Sequence, residues 1–366
     1  MKIIPIGEPK IIMSNPFSRH NYFGWPTVAR LQNGRLAVVA SGFRLEHVCP
    51  FGKTVISFSE DEGEHYTAPA PVIDTVLDDR DGGILAFGKS GVMVTSFNNT
   101  TKFQRQYAQG KETEDYRLSY IDLIDEKEEA RDIGATFRIS FDCGVTFGKA
   151  YKSPITSPHG PTELRDGRIL WVGRTFSQND SAMPNDCVCA YHVLPESGKM
   201  EYLGRIDDVV IDGKKMLSCE PYAIELEDGS ILCHIRVQST VSSKLHFTTY
   251  QSVSRDGGRS WSKPQPLLPK LGGAPAHIIR HSSGVLISVY GYREFPYGVK
   301  AMFSHDDGKT WDADHDLYVN GISSDLGYPS TVELSDGSLL TVFYARTKER
   351  GPAVIMQQRW RFDNEI

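Results

Sequence analysis

Two residues share a register that would bring them together: Glu220 in SCEPYAIEL and Tyr328 in DLGYPSTVEL. Each stands nine residues before a hairpin glycine, Gly229 and Gly337, and each is followed by proline. The same offset from the other turn glycines picks out Trp25, Gly82, Pro158 and Pro275. An acid and a phenol at equivalent positions can exchange a proton. Taken alone, Tyr328 reads equally well as a packed aromatic where the strand begins. Seven to ten residues after the turn glycines stand Arg44, Arg174, Arg236, Arg293 and Arg346. Planar guanidinium forks suit a carboxylate, phosphate or sulfate. The plainer alternative is ion pairing between neighbouring elements, to which Arg174 and Arg346 are the best suited. His47, His159, His277 and Tyr292 fall near the same ends, although a single histidine so placed is ordinarily a packing or hydrogen-bonding residue.

The turns define the elements that must position these groups. Short alternating runs recur throughout, each broken at a glycine: ARLQNGRLAVV, AFGKSGVMVTSF, TELRDGRILWV, AIELEDGSILCHI, HIIRHSSGVLISV and TVELSDGSLLTVF. Their glycines are Gly34, Gly91, Gly167, Gly229, Gly284 and Gly337. No long helical periodicity stands out. Six units of this length each fit a four-stranded antiparallel sheet, and a radial array leaves only short edges. The expectation is all-β, with residues 1–366 forming a single six-bladed β-propeller catalytic domain. In an up-and-down blade the innermost strand starts at one face and turns at the other, so Glu220, Tyr328 and the arginines would ring one mouth.

A second repeat, Ser-x-Asp-x-Gly-x-x-aromatic, interleaves with the first: SEDEGEHY, SFDCGVTF, SRDGGRSW and SHDDGKTW. Ser and Asp side chains can satisfy loop N–H groups, glycine takes positive φ, and the aromatic anchors the turn. Repetition marks Asp61, Asp142, Asp256 and Asp306 as structural.

These are Asp boxes, and with the six hairpins the chain resembles the sialidase (neuraminidase) superfamily. The resemblance implies an axial active site in which a tyrosine is the nucleophile and a glutamate accepts its proton; Tyr328 and Glu220 match that pair. The logic is electrostatic. A sugar with a carboxylate on its anomeric carbon repels an anionic nucleophile less if that nucleophile is a neutral phenol activated by a base. The resemblance also implies a three-arginine carboxylate clamp, of which Arg236 and Arg293 match two members, with Arg44 matching a further arginine. The aspartates of DDRDGG, Asp79 and Asp81 among them, fall where the family has one contacting the sugar. Two departures stand out. Gly24-Trp25-Pro26 occupies the place of the clamp's Arg-Ile-Pro motif, and LEHVCPFGK offers Glu46 and His47 where the acid aspartate is expected. Arg19 or His20 is a candidate for the first gap, and Glu46, Asp79 or Asp81 for the second.

The 366 residues are 40% hydrophobic and 23% charged, with net charge −6, which gives no general drive toward nucleic acid or an acidic membrane. No apolar run suits a membrane span, and MKIIPIGEPKII lacks the apolar core of a secretory signal. The expectation is a cytoplasmic protein, or a secreted one if a leader has been removed. Six dispersed cysteines read as reduced. Nucleotide-cradle, zinc-protease, EF-hand and nucleophile-elbow motifs are absent. DDRD could hold Ca²⁺ but more readily pairs with Arg80, and no cofactor is expected. Three functions follow. The first is an exo-glycosidase acting on a terminal acidic sugar such as a sialic acid. The second is a hydrolase or lyase acting on a uronic acid, sulfated sugar or other ulosonic acid. The third is a non-catalytic glycan- or protein-binding propeller, which a wide Tyr328–Glu220 separation would favour.

Overall fold

The computed structural model describes residues 1–175, 186–239, 248–267 and 273–363. Six antiparallel sheets surround a common axis. Blade one runs Tyr22–Arg30, Leu36–Arg44, Lys53–Ser59 and Ala70–Ile73 from the axis outward, and blade two runs Arg80–Phe87, Gly91–Phe97, Ala135–Ser140 and Tyr151–Ser153. Blade three has a broken inner strand, Ile155–Thr156 and Thr162–Glu163, both pairing with Ile169–Thr175, followed by Val188–Leu194 and Lys199–Ile206. Blades four and five start at Leu217–Glu225 and Gly273–Arg280. Blade six comprises Gly327–Glu333, Leu339–Arg346 and Ala353–Asp363, and its outermost strand is Lys2–Met13 from the other end of the chain. This pairing of the two ends closes the ring, so no inner blade is left with a free partner edge.

Hydrophobic clusters lie between the blades. Leu36, Val38 and Val55 of blade one meet Leu340, Val342 and Ile355 of blade six. Val39 and Ile56 meet Ile84, Val92 and Val94 of blade two. Met93 and Phe137 meet Ile169 and Trp171 of blade three. The alternation read in the sequence thus buries both faces of each sheet, which is why the strands are rich in Val, Ile and Leu. At the axis the inner strands approach backbone to backbone. A Cβ on Gly83 would lie 2.5 Å from the Gly160 nitrogen, so no side chain fits between blades two and three there.

Five of the anticipated turn glycines, Gly34, Gly167, Gly229, Gly284 and Gly337, have φ between 75° and 88°. Blade two differs: its positive-φ turn residue is Gly88, not Gly91, which begins the next strand. The long interval before Gly167 holds three short helices, Thr101–Ala108, Glu114–Ile121 and Glu126–Asp132, inserted between the second and third strands of blade two. Each of the three is too short to give a sustained helical periodicity. The helices are instead set by their caps: Thr100 accepts from the Phe103 N–H, and Asp125 and Glu128 form a reciprocal capping box. Among the described residues no helix is long and apolar enough to cross a membrane. No disulfide is formed among the described residues.

The Asp-box oxygens are used within their own turns, on the face opposite the mouth. Ser304 Oγ accepts from Gly308 N (2.9 Å) while Asp306 accepts from Thr310 N (2.8 Å) and Thr310 Oγ1 (2.7 Å), and the other three boxes repeat the pattern. Burial raises the Asp306 pKa, but these donors outweigh it and hold the carboxyl at about 2. Asp306→Ala is therefore expected to lower stability by about 1–2 kcal/mol above pH 4, with less effect as pH falls toward 2, and to leave any activity unchanged. Thermal melting across that pH range checks this.

Candidate active site

The inner strands do not run straight into the axis. Their ladders slip between Tyr22 and Thr27, Arg80 and Gly83, Cys219 and Tyr222, Gly273 and Ala276, and Gly327 and Ser330. Within these bulges Trp25, Asp81, Glu220 and Tyr328 adopt φ of 56°, 49°, 49° and 51°. Left-handed backbone is unfavourable for such residues, and the surrounding sheet holds them in it. The bulge re-aims each side chain, and blade two shows its register consequence: Asp81, not Gly82, takes the corner.

A cavity of about 240 Å³ opens on the axis, lined by Asp81, Glu220 and Tyr328, four arginines (Arg80, Arg174, Arg236 and Arg293) and His47. The Tyr328 hydroxyl donates to Glu220 Oε1 at 2.6 Å. Arg236 Nη1 donates to Glu220 Oε2 at 2.6 Å and to the Tyr328 oxygen at 3.2 Å. Burial raises the Glu220 pKa, but the Arg236 charge and hydrogen bond, with the Tyr328 hydroxyl, outweigh it and leave the carboxyl below its ordinary value. Burial, then the Glu220 charge, pushes Tyr328 well above an ordinary phenol. The resting pair is thus a neutral phenol on an ionised carboxylate. Arg293 is fixed by donating to the Leu326 carbonyl (2.9 Å) and the Tyr344 hydroxyl (3.0 Å), with its guanidinium 5.4 Å from the Tyr328 ring centroid.

The three acid candidates separate clearly. Glu46 turns away from the cavity and pairs with Arg117 and Lys111 of the helical insertion. Asp79 is buried, accepting from Thr75 N (2.6 Å), Thr75 Oγ1 (3.0 Å) and Asn98 (3.3 Å), and it fastens a loop. Asp81 alone of the three lines the cavity, and its buried Oδ1 has no hydrogen-bond partner among the described residues. Burial raises its pKa to about 7, against the lowering charge of Arg80, so it can carry a proton near neutrality.

Other expected residues lie elsewhere. Arg44 is fully buried and does not line the cavity, because Asp78 takes its guanidinium in an ion pair (2.6 and 2.9 Å). Trp25 is 1% exposed and stands behind the wall, edge-on to His47 at 4.9 Å. His159 and His277 are buried below Tyr328, their rings 5.2 Å apart. Burial lowers His159 to about 3, and burial followed by the His159 charge takes His277 well down, so both are neutral. Tyr292 packs under Lys300 on blade five, outside the cavity lining. Arg19 and His20 contact Tyr116 of the helical insertion, so neither fills the gap at position 25. Arg174 lines the cavity while paired with Asp186 (2.9 Å). Arg346 is paired with Asp325 (2.9 Å). Among the described residues no cluster of three or more His, Cys, Asp or Glu is arranged to hold a metal ion.

Sequence reasoning missed Asp325, three residues before Tyr328 in the SSDLGYP approach. It accepts from the Tyr22 (2.8 Å) and Tyr344 (3.3 Å) hydroxyls and pairs with His47 (2.9 Å) and Arg346. Burial raises its pKa, but these partners, His47 foremost, take it far below the usual carboxylate range. The result is a rigid anion behind His47 and Arg293's partner Tyr344.

The protein is thus a six-bladed propeller with a charged axial cavity, and solved structures share its fold. Structures of the NanB sialidase from Streptococcus pneumoniae (TM-score 0.67, 12% identity, covering 99% of this chain and 72% of that one) share the fold. So does the intramolecular trans-sialidase from Ruminococcus gnavus bound to oseltamivir carboxylate (TM-score 0.63, 13% identity, 96% and 97% covered). A Dyadobacter fermentans protein of unknown function superposes with TM-score 0.75 at 18% identity, with 99% of both chains covered. No curated protein matches the sequence. Residues 150–342, more than half the chain, match the family model described as BNR repeat-like domain, and the chain belongs to that family.

Proposed function

We propose that this protein is an exo-acting glycoside hydrolase that removes a terminal acidic sugar, a sialic acid or a relative, from an oligosaccharide or glycoconjugate, with the whole propeller as its catalytic domain. The observation that carries the reading is the Tyr328–Glu220 hydrogen bond of 2.6 Å, with Arg236 bridging both groups in the lining of the axial cavity. A purely binding propeller has no need to hold a phenol on a carboxylate, and the separation lies within proton-transfer reach. Tyr328 Oη attacks the anomeric carbon as its proton passes to Glu220, while Asp81 gives its proton to the departing glycosidic oxygen. Water then attacks the anomeric carbon and breaks its bond to the Tyr328 oxygen, yielding a proton to Asp81 while Glu220 returns the proton to the phenolate leaving group. Two displacements at one carbon retain its configuration. Arg236 and Arg293 hold the substrate carboxylate and balance charge that builds up in the transition state.

A second reading keeps this machinery and changes the sugar to a uronic, sulfated or other ulosonic acid. It is favoured by Trp25, which stands where the resemblance calls for a clamp arginine. Hydrolysis of aryl sialosides, compared with aryl uronides and sulfated aryl glycosides, decides between them. Release of the aryl group from an acidic glycoside is the expected result; an unsaturated sugar product would indicate a lyase, and inertness to the whole panel would count against both readings.

A further inference from the structure

Position 25 supplies an indole, yet the cavity wall beside it still carries a guanidinium, brought from a different blade. Resting on the acidic-sugar reading above, we propose that Arg80 of blade two is the third anion-binding arginine of this site, with Trp25 as the platform that presents it. Arg80 lines the same cavity as Arg236 and Arg293, although it is only 7% exposed. Its guanidinium carbon lies 4.4 Å from the Trp25 ring centroid, a cation–π placement that fixes the plane of the fork.

Ordinary ion pairing does not account for this arginine. Its nearest acid, Asp78, lies 3.8 Å away and is already occupied, with Arg44 at 2.6 and 2.9 Å and Gln104 at 3.1 Å. One Arg80 amino group donates to the His47 carbonyl at 3.2 Å, while its buried Nε has no hydrogen-bond partner among the described residues. Two guanidinium groups, Arg44 and Arg80, therefore share one carboxylate, which leaves a positive charge beside the cavity. An anion in the cavity would balance that charge. The anion would be gripped from blades two, four and five. Trp25 then takes a supporting role: it exchanges a direct guanidinium contact for a surface that orients one from the next blade.

The test is calorimetric binding of N-acetylneuraminate, glucuronate and inorganic sulfate to the full chain and to Arg80→Gln, Arg80→Lys and Arg236→Gln, with the methyl ester of the best-bound acid as a neutral control. The acid that binds the unaltered protein should bind Arg80→Gln about 10- to 100-fold more weakly, and the ester should bind both alike. Arg80→Lys, which keeps the charge and loses the planar fork, should fall between them; it also serves if Arg80→Gln folds poorly. Binding by Arg80→Gln within twofold of the unaltered protein, with binding lost in Arg236→Gln, would overturn the assignment of Arg80 and leave the proposed function standing. If none of the three anions binds the unaltered protein, the acidic-sugar reading fails and the inference falls with it.

Discussion

Tyr328→Phe is expected to lose turnover by at least about 10³-fold, some 4 kcal/mol of transition-state stabilisation, while binding of an acidic sugar changes less than threefold. The substitution removes one atom. The ring is 4% exposed and packed among Trp25, Tyr344 and His159, contacts that phenylalanine reproduces, and the left-handed backbone at this position is the same for both residues. Glu220 keeps its Arg236 partner, so no buried carboxylate is stranded, and the stability change should be about 1 kcal/mol. Stopped assays with an aryl glycoside, calorimetry and thermal melting separate the three quantities. Unchanged turnover in this variant would remove Tyr328 from the mechanism.

Asp81→Asn is expected to act in opposite directions on rate and on stability. With a poor leaving group, turnover should fall about 10²–10⁴-fold; with an activated aryl leaving group, which departs without a proton, the loss in the first step should be much smaller. The alkaline limb of the rate profile, set near pH 7 by the raised Asp81 pKa, should disappear in the variant. The stability effect has a definite sign. A carboxyl with its folded pKa raised from 3.8 to about 7 contributes stability that is complete below pH 4 and lost as pH rises through 7. Above that pH the ionised Asp81 opposes folding by up to the order of 4 kcal/mol, and Asn removes that opposition. Asp79, raised to about 7 by burial, keeps its own part of the same pH dependence. Melting temperatures at pH 5 and 8 should converge partway in the variant. A variant less stable than the parent at pH 8 would show that Asp81 is not a strained, proton-bearing acid.

Much of the architecture was legible because propeller turns are chemically explicit: glycines with forced positive φ and aspartates that saturate a tight loop recur at fixed offsets. That register also placed Glu220 and Tyr328 together. It failed by one residue in blade two, where the turn departs from the other five: the positive-φ glycine is Gly88, only seven residues after Asp81, and counting nine back from Gly91 reached Gly82 instead of Asp81. Spacing gave the arginines' height along the axis but not the direction of their heads. Arg44 and Arg346 are drawn back by Asp78 and Asp325, while Arg236 and Arg293 point inward. The helical insertion was hidden because its helices are short, but Asp125-Glu126-Lys127-Glu128 carries a capping-box pattern that could have flagged the third. Glu46 was out of reach for the same reason: its partner Arg117 lies in that insertion.

The central claim is that Tyr328 forms a covalent bond to the sugar. The direct measurement is intact mass and peptide mapping after mixing the protein with an acidic glycosyl fluoride carrying a second fluorine beside the anomeric carbon, which slows both displacements while the good leaving group still lets the adduct form. The expected result is one glycosyl unit added per chain, mapped to Tyr328 and absent in Tyr328→Phe. An adduct on Asp81 or Glu220, or steady hydrolysis of the reagent with no adduct at any time, would contradict it.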